Sequence, residues 1–176
     1  MRAKVNVFEA ILQRRSIRKY SDQPVSIEDL LRLLQAAMAA PSATNARPWE
    51  FVVVTEEGVL KDLKKALPFG NHNAPAAIVV CGKPTSITAG RFWVQDCSAA
   101  MENILVTAVE MGLGTVWIGI HPVFLLEKGV SRVLGLPKGT IPLGMALIGH
   151  PAEEKEPRSQ YDEKKIHWQK YGQKQS

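Results

Sequence analysis

The chain has 176 residues, 45% of them hydrophobic and 22% charged, a length and balance that suit one globular domain with a buried core. It contains no apolar run of the roughly 20 residues that span a bilayer, and its first residues lack the apolar stretch of a signal peptide, so a cytoplasmic protein with no membrane partner is expected. The net charge of +5 is supplied within residues 1–20, where Arg2, Lys4, Arg14, Arg15, Arg18 and Lys19 face one acid, Glu9; one local cluster suits a phosphate group better than a nucleic-acid track, which needs many spread contacts.

In chain order, a first helix is predicted from Asn6, with Glu9 placed for a capping box and Val7, Phe8, Ile11 and Leu12 as its apolar face. A second starts at Ser26 with Asp29 three residues on; Ile27, Leu30, Leu31, Leu34, Ala37 and Met38 follow helical spacing, and Pro41 closes it. Trp49 to Thr55 reads as a strand, 57–67 as a short helix, 70–73 as a loop and Ala76 to Cys81 as a buried strand. The longest helix is predicted over Phe92 to Met111, with Trp93, Cys97, Ala100, Met101, Ile104, Leu105 and Ala108 in one stripe and Gly112 and Gly114 as its terminators. A strand over Thr115 to Ile120, a helix over Val123 to Leu134 and a strand over Ile141 to Ile148 complete the alternation. Pattern alone suggests an α/β fold with a parallel sheet. The last 26 residues are polar yet carry Tyr161, Ile166, Trp168 and Tyr171, which need a surface to cover.

Three segments have the residue types for ligand chemistry. Arg14-Arg15-Ser16-Ile17-Arg18 gathers three guanidiniums, whose forked donors match phosphate oxygens, with a hydroxyl between them. Pro41 to Trp49 joins a helix to a strand, and Ser42 and Asn45 there can hydrogen-bond a heteroaromatic edge. In Gly112 to Gly119 a glycine-ended helix leads into a strand that ends on glycine, and Gly119 would let a flat ligand approach the backbone. Neither a dinucleotide fingerprint nor a phosphate-binding P-loop sequence occurs. Cys81 and Cys97 lack any CxxC or metal-ligand spacing and read as buried packing thiols. His121 could donate a proton, although a histidine before proline at a strand end is more often structural.

In this order, RRSIRKY (14–20), PSATNARPW (41–49), GLGTVWIG (112–119), LGLPKG (134–139) and IGHPAEEKEPR (148–158) resemble the nitroreductase family over about residues 7–168. The resemblance implies an α+β fold with a central, mostly antiparallel sheet flanked by helices. It implies a homodimer with two FMN molecules at its interface, over a domain of residues 1–150 and an arm of residues 151–176 packing on the partner. By residue match, Arg14, Arg15, Ser16 and Arg18 would bind FMN, with Arg158 and Lys155 returning to its phosphate. Pro41, Ser42, Ala43 and Asn45 would contact the ring from the other subunit, and Ile118 and Gly119 would lie along it. The implied activity is FMN-dependent oxidation of NADH or NADPH, with hydride passed through flavin N5 to a nitroaromatic, quinone or similar small-molecule acceptor. Flavin chemistry of another kind on this fold (dehalogenation or flavin fragmentation), or FMN binding without catalysis, are the alternatives. Two departures stand out: Arg47 occupies a place often held by glutamine, and Gly119-Ile120-His121-Pro122 lacks the glutamate that larger members carry there.

Overall fold

The computed structural model describes residues 6–84 and 89–175, so Arg2 and Lys4 of the basic cluster lie outside the described residues. Helix α1 (Val7–Gln13) opens on the capping box: Asn6 Oδ1 accepts the Glu9 N–H at 2.9 Å and the Glu9 carboxylate accepts the Asn6 N–H at 3.3 Å. Ser26 Oγ accepts the Asp29 N–H at 3.0 Å to start α2 (Ile27–Met38). There follow β1 (Trp49–Val54), α3 (Glu57–Ala66), β2 (Ala76–Gly82), α4 (Trp93–Glu110), β3 (Gly114–Gly119), α5 (Phe124–Leu134) and β4 (Ile141–Gly149).

The four strands form one sheet in the order β1-β2-β4-β3, and every neighbouring pair is antiparallel. The parallel sheet suggested by alternation is therefore absent, and the α+β arrangement implied by the resemblance is what the chain adopts. Periodicity reports which face of a strand is buried and carries no information on its direction. Helix α3 links the paired β1 and β2, and α5 links the paired β3 and β4, so each helix closes an antiparallel unit.

Helices cover both faces of the sheet. Ala76, Ile78 and Val80 of β2 point into a core shared with Leu30, Leu33 and Ala37 of α2 and with the α4 stripe, every predicted member of which is buried. Ala77, Val79 and Cys81 point the other way, onto Leu60 and Leu63 of α3 and Val130 of α5. The register shifts between Val80 and Cys81, so that Leu143 of β4 is the extra residue and joins Ala146 and Ile148 on the α4 side.

One expectation changes, and two helices turn apolar side chains outward. Gly112 takes the left-handed conformation that ends α4, with φ 72°, whereas Gly114 is the first residue of β3. It is small for another reason: a Cβ there would meet Ile17 Cγ2 at 2.8 Å. The apolar face assigned to α1 points outward, with Val7, Phe8 and Ile11 exposed and Ala10 buried. Helix α2 likewise buries Leu30, Leu33 and Ala37 while Ile27, Leu31 and Met38 lie open.

Candidate functional site

The arginine segment is laid along the free edge of β3. Ser16 pairs with Thr115 in a parallel bridge, and the Ile17 N–H donates to the Thr115 carbonyl at 2.8 Å. Ile17 and Tyr20 are buried while Arg18 and Lys19 face out. Tyr20 pins the segment: its hydroxyl donates to the Ile17 carbonyl at 2.5 Å, and its backbone exchanges hydrogen bonds with the Asn73 side chain at 3.1 and 2.7 Å.

After β4 the chain returns along the same segment. Ser21 N–H donates to His150 at 2.9 Å, Ala152 N–H to Lys19 at 2.9 Å and Arg158 N–H to Leu12 at 3.1 Å, all at carbonyl oxygens. Glu153 and Lys155 close a clasp on it. Glu153 Oε1 accepts the Arg18 N–H at 2.5 Å and the Lys19 N–H at 3.3 Å, Lys155 Nζ donates to the Ser16 carbonyl at 2.5 Å, and the two side chains pair at 3.2 Å. The Arg18 N–H and then the neighbouring Lys155 hold the Glu153 carboxyl below the usual carboxylate range, against a smaller opposing effect of desolvation. Arg14 pairs with Glu102 at 3.2 Å, and Arg15 donates to the Glu156 carbonyl.

Arg18 opens onto a cleft of about 450 Å³, with Phe69, Asn71 and His72 on one side and Val116 to Gly119 on the other. Thr115 turns its carbonyl to the outer edge of β3, and the alternation of a strand turns the backbone groups of Trp117 and Gly119 the same way. Among the described residues that edge is uncovered beyond the Ser16 bridge, and a Cβ on Gly119 would meet nothing within 4 Å. The cleft thus has a wall of unpaired peptide groups, a flat approach at Gly119 and a guanidinium at its rim. At its wall, burial first and then the nearby charges of Arg18 and Lys64 lower the His72 pKa, with Glu153 opposing. A neighbouring cleft is lined by Arg15 and Lys155 together with Glu153, Glu154 and Glu156.

The Pro41–Asn45 loop lies elsewhere, between the end of α2 and the start of α4, and does not line this cleft. It is an unusual coil. Thr44, Asn45 and Arg47 have φ of 52°, 55° and 47°, the left-handed region that costs a non-glycine residue roughly 1–3 kcal/mol. Ser42 Oγ accepts the Arg47 N–H at 2.9 Å across the coil, and the Ala43 N–H donates to Asp96 Oδ1 of α4 at 3.0 Å.

His121 is held by contacts of a structural kind. Its Nδ1 lies 2.7 Å from Glu127 Oε1 in the first turn of α5, and its ring meets Trp93 edge-on at 4.7 Å. Glu127 lies six residues further along the chain, outside the run Gly119-Ile120-His121-Pro122. Cys81 and Cys97 are buried free thiols, and burial pushes both up to about 12. Phe69, Asn71, Glu153 and Asp96 have no sequence motif that singles them out. The one signal available was Asp96, a carboxyl on the buried face of an otherwise apolar stripe.

Comparison with known proteins agrees with this arrangement. The model of the nitroreductase family matches residues 11–80 and 69–150. This chain belongs to the nitroreductase family. A protein of Methanothermobacter thermautotrophicus, provisionally named an NADH dehydrogenase/NAD(P)H nitroreductase, is 41% identical over 171 residues, 96% of this chain and 90% of that protein. The crystal structure of a similarly named protein from Bacteroides thetaiotaomicron superposes with a TM-score of 0.89 at 39% identity, covering 94% of this chain and 98% of that one. An FMN-dependent nitroreductase from Clostridium difficile gives a TM-score of 0.85 at 32% identity, over 92% of this chain and 98% of that one. Among the described residues no helix is long and apolar enough to cross a membrane.

Proposed function

We propose that this chain is an FMN-dependent NAD(P)H oxidoreductase that works as a homodimer and reduces a nitroaromatic, quinone or similar small acceptor. The observation that carries the reading is the uncovered edge of β3 at Trp117 and Gly119, which with Arg18 lines a cleft of about 450 Å³, within the size range of small-ligand sites. Names of relatives support it: one is an FMN reductase of Bacillus subtilis, 29% identical over 178 residues, and another is the FMN-dependent nitroreductase above.

When bound, FMN supplies hydride transfer between nicotinamide and acceptor through its N5. The chain's part is to bind and orient. Ile118 and Gly119 offer a flat backbone surface to the ring, and Arg18 places a fixed positive charge at its edge, where negative charge on the ring is stabilised. Arg14, Arg15, Ser16, Lys155 and Arg158 are gathered within one stretch by the pairing of 12–21 with 150–158, and they are the donors for the phosphate. Arg14, Arg15 and Lys155 have partners within the protomer, so phosphate binding requires them to exchange or share those partners.

Dimerisation is supported by what the protomer leaves open. Val7, Phe8 and Ile11 of α1 and Ile27, Leu31 and Met38 of α2 are large apolar side chains left exposed on two helices. In the tail, Tyr161 is 71% and Tyr171 92% exposed. We assign the surface that covers these side chains to a second copy, with the Pro41–Asn45 loop of one subunit meeting the ring held by the other. Purified protein that oxidises NADH or NADPH steadily with a quinone or nitroarene, and sediments as a dimer, is the expected result. A monomer without flavin would defeat the reading.

A further inference from the structure

Asp96 is 6% exposed, on the buried face of α4 between Trp93 and Cys97. One carboxyl oxygen accepts the Ala43 N–H at 3.0 Å. The other, Oδ2, is buried and has no partner; no other buried side-chain nitrogen or oxygen among the described residues is left so. A half-satisfied polar group in a core costs free energy, and an aliphatic side chain would pack there better. The first turn of a helix tolerates an acid, but that explains its acceptance and not its use. What the carboxyl does is reach out of the core to the loop. That loop holds Thr44, Asn45 and Arg47 at positive φ, a conformation that persists only where its surroundings impose it. Ser42 Oγ ties the coil from within through Arg47, and Asp96 ties it to the body of the protein.

We propose that Asp96 is a positioning residue of the flavin site: by holding Ala43 it sets the Pro41–Asn45 loop in the conformation that meets the ring of the partner subunit. This rests on the FMN-dimer reading above. Loss of the tether should leave the fold in place and loosen the ring.

The test uses the purified holoprotein and its variants, with FMN affinity from flavin fluorescence, ring orientation from visible circular dichroism, and thermal unfolding with and without FMN. Asp96→Ala should weaken FMN by about tenfold or more, while Asp96→Asn, which keeps an acceptor for Ala43, should stay within about threefold of the wild type. Ala43→Pro removes the donor from the other side. Ser42, at φ −140° and ψ 151°, already has the extended conformation that a residue before proline prefers. That variant should also weaken FMN, and combining it with Asp96→Ala should add less than about threefold, because both delete one tether. Four results would overturn the proposal: wild-type FMN affinity in a folded Asp96→Ala or in Ala43→Pro, equal losses in Asp96→Asn and Asp96→Ala, additive losses in the double variant, or an Asp96→Ala effect confined to thermal stability of the FMN-free protein. Should Asp96→Ala not fold, Ala43→Pro and Asp96→Asn decide alone. If wild-type protein takes no FMN, the functional reading fails and this inference with it; if wild type binds and the variants match it, only the inference fails.

Discussion

Arg18 is fixed by its backbone and free at its tip. Glu153 holds its N–H, which leaves the guanidinium to face the cleft. Replacing Arg18 with alanine should cost about 1.5–3 kcal/mol of FMN binding, the usual worth of a charge-assisted hydrogen bond, or roughly 10- to 150-fold in affinity. Arg158→Ala should behave similarly. Lys138→Ala, in the turn before β4 and away from the cleft, should do little; flavin titration of the three variants checks this. Glu153 adds a pH dependence. Its folded pKa lies below its unfolded value, so its contribution to stability is present above the unfolded pKa and is lost as pH falls through the lowered folded one. Unfolding by urea across about pH 3 to 6 should show a stability that declines toward acid, and Glu153→Gln should flatten part of that slope. The two thiols make the contrasting case. With both pushed up to about 12 they are protonated and inert at neutral pH. Cys81→Ala and Cys97→Ala should keep turnover and lose about 0.5–3 kcal/mol of stability, read from denaturant midpoints alongside the activity assay.

At the scale of elements, Gly114 and the tail are the joints that place the site. A Cβ on Gly114 would press on Ile17, the buried residue that seats the arginine segment on β3. Gly114→Ala should therefore destabilise the protein by about 1–3 kcal/mol, as overpacking does, and weaken FMN as Arg18 shifts. The tail divides in two. Residues 150–158 are bonded to 12–21 of the same chain, while Tyr161, Trp168 and Tyr171 beyond them are exposed. Truncation after Ser159 should lower dimer stability in sedimentation while leaving the Glu153–Lys155 clasp in place; truncation after His150 should remove both. Much of this was legible in the sequence because each part has a local cause. Asn6 with Glu9, Ser26 with Asp29, and the stripe from Trp93 to Ala108 name their helices through capping and periodicity. Strand direction was not legible from pattern, since alternation in β2 fixes its faces and not its partners. What covers the outward faces of α1 and α2 was not legible for a related reason: an apolar stripe says that a helix needs covering and does not say by what. Asp96 and Glu153 were missed because their partners are backbone N–H groups 53 and 135 residues away.

For the whole molecule, one protomer supplies an arginine segment on a sheet edge, a tethered loop at the other end of α4, and apolar faces that its own core does not use. Two copies reconcile these features: each would bring its loop to the other's cleft and cover the other's open helices. Cofactor and dimer would then share a surface, so FMN should raise the thermal midpoint of the dimer in a concentration-dependent way. The most direct test of the account is anaerobic titration of the purified protein with NADH and NADPH while its visible flavin absorbance is followed, with the cofactor then released by heat and identified by mass. FMN, bleached by a nicotinamide nucleotide and restored on adding a quinone or nitroarene, is the expected result. FAD, no flavin after reconstitution, or an FMN that neither nucleotide bleaches would contradict it.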